Sequence, residues 1–78
     1  MATSFFDKTE YKTVGMSGTW EKATSPDGKV RTYTLTADGG AVQVNFKDGT
    51  VQPHTDLKAG TVVVVNGEDN TVEVAEIK

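Results

Sequence analysis

The chain has 78 residues, no cysteine, a net charge of -3 and a pI near 4.9. That leaves room for one domain, residues 1–78, and excludes a disulfide framework or a thiolate metal site. Hydrophobic residues at 36% and charged residues at 24% place it among folded globular domains and away from disordered chains. The acidic balance opposes overall attraction to nucleic acid or anionic lipid.

A domain this small buries only roughly 60% of its unfolded surface, so a homodimer would usefully add burial. No apolar run approaches the roughly 18 residues of a membrane span, and MATSFFDKTEYK carries no basic leader. A cytoplasmic protein without membrane contact is expected. Residues 1–33 hold five basic and four acidic side chains, and residues 34–78 hold three basic and seven acidic ones. Most of the acidity therefore lies in the second half.

In chain order, Phe5 and Phe6 either cover an open barrel end after a short helical turn begun at Thr3 or Ser4, or start an edge strand. Residues 11–16 read as extended, with Gly15 and Gly18 allowing a long first strand to bend. Strands near 18–24 and 29–36 flank Ser25-Pro26-Asp27-Gly28, where proline presets one turn dihedral and glycine supplies positive φ. Asp38-Gly39-Gly40 returns the chain into AVQVNF, whose Val42, Val44 and Phe46 alternate with polar Gln43 and Asn45. Asp48-Gly49 is a hairpin signal leading into a short TVQ segment. Pro53 is expected to end that pairing because it has no amide proton.

The stretch HTDLKAG can form one helical turn capped by Thr55 and ended by Gly60. TVVVV is apolar on both faces and reads as a central strand. The turn at 66–70 leads into TVEVAEI, where Ile77 is out of phase with Val72 and Val74, which suggests a bulge near Ala75 or a change of face. The period-two pattern with punctuation every 8 to 12 residues predicts an all-β fold. We expect a small antiparallel barrel of five to six strands, OB-like or SH3-like, built from consecutive hairpins with at most one short helical turn.

Few residues support catalysis. His54 is the single histidine; it follows Pro53 in a polar stretch, where it reads as an exposed loop residue, and no triad can be assembled around it. Carboxylates at Asp48, Asp56, Glu68 and Asp69 lack calcium-loop spacing and read as solvated turn acids. No phosphate loop, nucleophile elbow or paired-acid motif is present. The expectation is a non-enzymatic protein without metal or cofactor.

Aromatic and basic residues offer another route. Trp20, Tyr33 and Phe46 fall in strands, with Tyr11 on the preceding one. A sheet that displays rings among cations can stack bases while Lys and Arg hold phosphates; the same rings can equally be the core of a small barrel. Lys22, Lys29 and Arg31 bracket the first turn, and Arg31 and Tyr33 share a strand face. These four, Lys22, Lys29, Arg31 and Tyr33, are the candidate nucleic-acid contacts. Phe5 and Phe6 are candidates for docking.

Two resemblances accompany these residues. SGTWEK, followed by a DGK turn, is similar to the opening of lipocalin-like and avidin-like barrels, in which the tryptophan plugs the barrel; no ligand is carried over from it. SPDGKVRTY and KDGTVQPHTDLKAGTVVVV resemble the small OB-type single-stranded DNA-binding proteins of filamentous phages. That resemblance implies a dimer that coats single strands through Lys22, Lys29, Arg31 and Tyr33. The alternative reading is a protein-interaction or assembly module, such as a phage accessory, inhibitor or particle-associated protein, docking through a sheet edge or through Phe5 and Phe6.

Overall fold

The computed structural model describes residues 2–7 and 10–77, with side chains described for 10–77. Its eight strands are β1 (Ala2–Asp7), β2 (Tyr11–Ser17), β3 (Trp20–Thr24), β4 (Val30–Leu35), β5 (Gly40–Phe46), β6 (Val51–Leu57), β7 (Val62–Asn66) and β8 (Thr71–Ile77). All pairings are antiparallel. The all-β expectation therefore holds, but the strands do not close into one barrel of five or six. They form a five-stranded sheet in the order β1-β8-β7-β4-β3 and a three-stranded sheet in the order β2-β5-β6.

The two inner faces meet in one core. Leu35, Val63, Val65, Val72 and Val74 of the larger sheet pack with Val42, Val44, Phe46 and Leu57 of the smaller one, each no more than 3% exposed. Alternation supplies these residues: every second side chain of β5 and β7 is buried. TVVVV becomes β7, the middle strand of its sheet as expected. Val62 and Val64 lie half-buried on its outer face.

The hairpin at 25–28 forms as the residues predict. The Gly28 amide donates to the Ser25 carbonyl at 2.8 Å, the Ser25 hydroxyl donates to Asp27 Oδ1 at 2.5 Å, and Gly28 has φ 77°. Two other glycines permit the sheets to approach where β2 passes into β3. Gly18 has φ 106°, and a Cβ there would lie 2.9 Å from the Gly40 Cα; a Cβ on Gly40 would lie 2.6 Å from Leu35 Cδ1. Gly18, with positive φ and a backbone atom in the way, requires glycine, and a side chain at Gly40 would displace the buried Leu35 side chain.

Residues 51–57 depart from expectation. Pro53 lies within β6, opposite Gln43, and the predicted helical turn is absent. The reason is that β6 is the edge of its sheet, where an amide on the open side has no ladder partner to lose. Asp56 takes φ 55° and the register with β5 shifts between Gly40 and Val42. That local insertion changes the phase and returns Leu57 to the core, where it is 2% exposed. In β8 no bulge interrupts the register. Ile77 is instead on the opposite face from Val72 and Val74 and is 37% exposed.

The N-terminal segment takes the edge-strand alternative. β1 pairs with β8, placing Phe5 opposite Val74 and Phe6 opposite Glu73. The side chains of Phe5 and Phe6, the candidate docking residues, lie outside the described residues. Among the described residues no helix is long and apolar enough to cross a membrane.

Candidate functional site

The β3–β4 hairpin positions the predicted basic and aromatic residues. Cα pairing sets Trp20 against Leu35, Lys22 against Tyr33 and Thr24 against Arg31. Directly opposed residues share a sheet face, and Lys29 continues that face by alternation. Lys22, Lys29, Arg31 and Tyr33 are therefore brought to one side of the hairpin, the side that also carries the core residue Leu35. No carboxylate occupies positions 20, 22, 24, 29, 31, 33 or 35. The nearby Asp27 is engaged in the turn, where it accepts from the Ser25 hydroxyl and the Lys29 amide.

Within this face the residues have unequal freedom. Lys22 and Lys29 are exposed, whereas Arg31 and Tyr33 are half-buried. Arg31 Nη2 donates to the Tyr11 hydroxyl at 3.3 Å, which ties β4 to β2 of the other sheet. Tyr11, Trp20 and Tyr33 pack against the core, and Trp20 Nε1 donates to the Ser17 carbonyl at 2.8 Å. Phe46 is wholly core at 3% exposure. Between the sheets at this side lies a notch of about 140 Å³ lined by Tyr11, Val14, Met16, Arg31, Tyr33 and Val65.

His54 is not the exposed loop residue expected. It sits in β6 with its side chain 10% exposed, and Nδ1 lies 3.0 Å from Glu76 Oε2 of β8. The pair joins the two sheets on the side opposite Arg31 and Tyr11. No spacing in the sequence connects residues 22 positions apart on different sheets. Among the described residues no group of three metal-ligating side chains forms.

A second concavity, about 510 Å³, lies on the smaller sheet and was not anticipated beyond the wet face of β5. Thr13, Gly15, Ser17, Gln43, Asn45 and Thr55 contribute to it, and no Lys, Arg, Asp or Glu lines it. Its amides satisfy one another in part, with Asn45 Nδ2 donating to Thr13 Oγ1 at 2.8 Å and Gln43 Nε2 to Asn45 Oδ1 at 3.3 Å. The polar alternation of Gln43 and Asn45 was the available signal.

The sheet edges differ in how they are guarded. β2 pairs with β5 through a register shift between Tyr11 and Thr13, and β6 carries Pro53 and its own register shift. Bulges and prolines of this kind discourage further pairing. β3 keeps a regular register with β4 over all five residues, and residues 21–24 are exposed; β1, the other edge of that sheet, is equally regular against β8, but its side chains lie outside the described residues. No protein-family model, curated protein or solved structure matches the chain.

Proposed function

We propose that the chain is a non-enzymatic docking module that engages a protein partner through an open sheet edge. The observation that carries this reading is the regular, exposed β3 edge of a sandwich whose five-stranded sheet extends past the three-stranded one. An extended partner segment can add to such an edge through main-chain hydrogen bonds. The half-burial of Tyr33 and the Arg31–Tyr11 bond favour this over base stacking, because those groups already pack and bond within the domain. A panel of end-blocked strand-forming peptides, followed by amide shifts in NMR spectra, tests it: shifts confined to edge-strand residues are expected, and none at any edge refutes it.

A second reading, coating of single-stranded nucleic acid, is favoured by one observation. Lys22, Lys29, Arg31 and Tyr33 share a face without interleaved carboxylates. Its test is Trp20 fluorescence during titration with poly-dT at about 20 and about 300 mM salt, where phosphate contacts predict steep weakening. Unchanged fluorescence at the lower salt removes this reading.

A further inference from the structure

The concavity on the smaller sheet has no Lys, Arg, Asp or Glu in its lining to select an occupant, and His54, which does line it, is engaged with Glu76 in joining the sheets. The β3 edge carries more. Its hairpin is closed by the Ser25 amide donating to Val30 and the Thr36 amide donating to Thr19, each pair being hydrogen-bonded across the hairpin. Hydrogen-bonded pairs alternate along an antiparallel ladder. Residues 19, 21, 23 and 25 therefore bond toward β4, and the N–H and C=O groups of Trp20, Lys22 and Thr24 point outward.

These outward-bonding residues are also those whose side chains lie on the face with Lys29, Arg31 and Tyr33. A strand added here would set its own side chains directly beside Trp20, Lys22 and Thr24, at cross-strand distance. Three cations and no carboxylate occupy that face, although the protein as a whole is acidic. On the other face the exposed positions of β3 are Glu21 and Ala23. A second copy is a poor occupant, because the register that fully overlaps two β3 strands puts Lys22 against Lys22.

We infer that β3 accepts an extended acidic segment of a partner protein as a sixth strand, with a carboxylate opposite Lys22 and an apolar side chain opposite Trp20. This rests on the docking reading and deepens it. Lys22 sets the register, and Lys29 and Arg31 supply the field that favours a segment acidic on its inner face. Glu21 disfavours acid on the outer face.

The test uses the full chain and a blocked seven-residue peptide alternating valine and glutamate, with a valine–lysine peptide and poly-dT as comparators. Saturable change in Trp20 fluorescence with the glutamate peptide is expected, together with slower amide exchange at Lys22 and Thr24. Lys22→Ala should weaken binding roughly two- to fivefold, and Lys22→Glu about tenfold while favouring the lysine peptide. Alternate N-methylation of the peptide, which removes its ladder donors, should abolish binding.

Equal affinity for both peptides, or an unaltered affinity in Lys22→Ala, overturns the inference and leaves Lys22 as a guard against aggregation. Protection at another edge overturns it while preserving the docking reading. Absence of peptide binding at every edge, with salt-sensitive binding of poly-dT, overturns both.

Discussion

The two open sides of the sandwich are closed differently. On one, Arg31 of β4 reaches the Tyr11 hydroxyl of β2, beside a notch and a projecting, exposed β3. On the other, His54 of β6 meets Glu76 of β8 with side chains only 10% and 22% exposed. A barrel would have joined both sides with ladder hydrogen bonds; here these side-chain contacts do so, together with a main-chain bond from the Tyr11 amide to the Asn70 carbonyl at 2.9 Å. The difference teaches that the His54–Glu76 contact is the more buried tie between the sheets, whereas beside the Arg31–Tyr11 bond a notch and the exposed, lysine-bearing β3 edge are left; the opposite edge of that sheet, β1, likewise pairs on one side only.

The largest effect should come from removing what both sides rest on. Leu35 is 1% exposed and packs over Gly40, so Leu35→Ala should cost roughly 2–5 kcal/mol. For a domain of this size that lowers Tm by roughly 4–8 °C per kcal/mol, measurable by calorimetry. Gly40→Ala should act in the same direction, because its Cβ would meet the Leu35 side chain at 2.6 Å. A Tm unchanged in both variants would show that the sides are independent of this packing.

Next come the sides themselves. Glu76→Ala removes a partner of the nearly buried His54 and should cost about 1–3 kcal/mol, whereas Tyr11→Phe removes one acceptor from half-buried Arg31 and should cost about 1 kcal/mol or less. Urea unfolding of the two variants checks the order. The reverse order would break the comparison, making the Arg31 side the cohesive one.

The smallest effects belong to the exposed turns and ends. The Ser25 hydroxyl, and then the Lys29 amide, hold the Asp27 carboxyl below the usual aspartate range, and the Thr50 hydroxyl does the same for Asp48. A hydrogen bond and charge from Lys47 likewise lower Glu10. Since folding lowers these values, their stabilisation is present above the ordinary carboxylate pKa of about 4 and fades as pH falls through the lower folded values. Urea midpoints should fall in that acid window, and Ser25→Ala should make the fall slightly shallower. An identical acid slope in Ser25→Ala would remove the Asp27 contribution.

Legibility in the sequence followed distance along the chain. The 25–28 turn was readable because Ser25, Pro26, Asp27 and Gly28 contain the whole device. The core positions Val42, Val44, Phe46, Val72 and Val74 were readable from alternation. Pro53 misled because proline breaks a central strand but is tolerated at an edge, and edge position is not a local property. His54 misled for the same reason, as its partner Glu76 is supplied by another sheet. Of the candidate site, the shared face of Lys22, Lys29, Arg31 and Tyr33 was partly visible in strand parity. Its inward packing was not, because Tyr11 arrives from β2.

By itself the sequence determined the β character of the chain, its hairpin turns and the alternation that selects a core, since each depends on steric and solvation preferences of neighbouring residues. The tertiary structure decided that β2 pairs with β5 and β4 with β7, that two sheets stack in place of one closed barrel, and that β3 is left open. Those choices depend on closing long loops and on packing summed over residues far apart in the chain, and no contiguous stretch contains that sum.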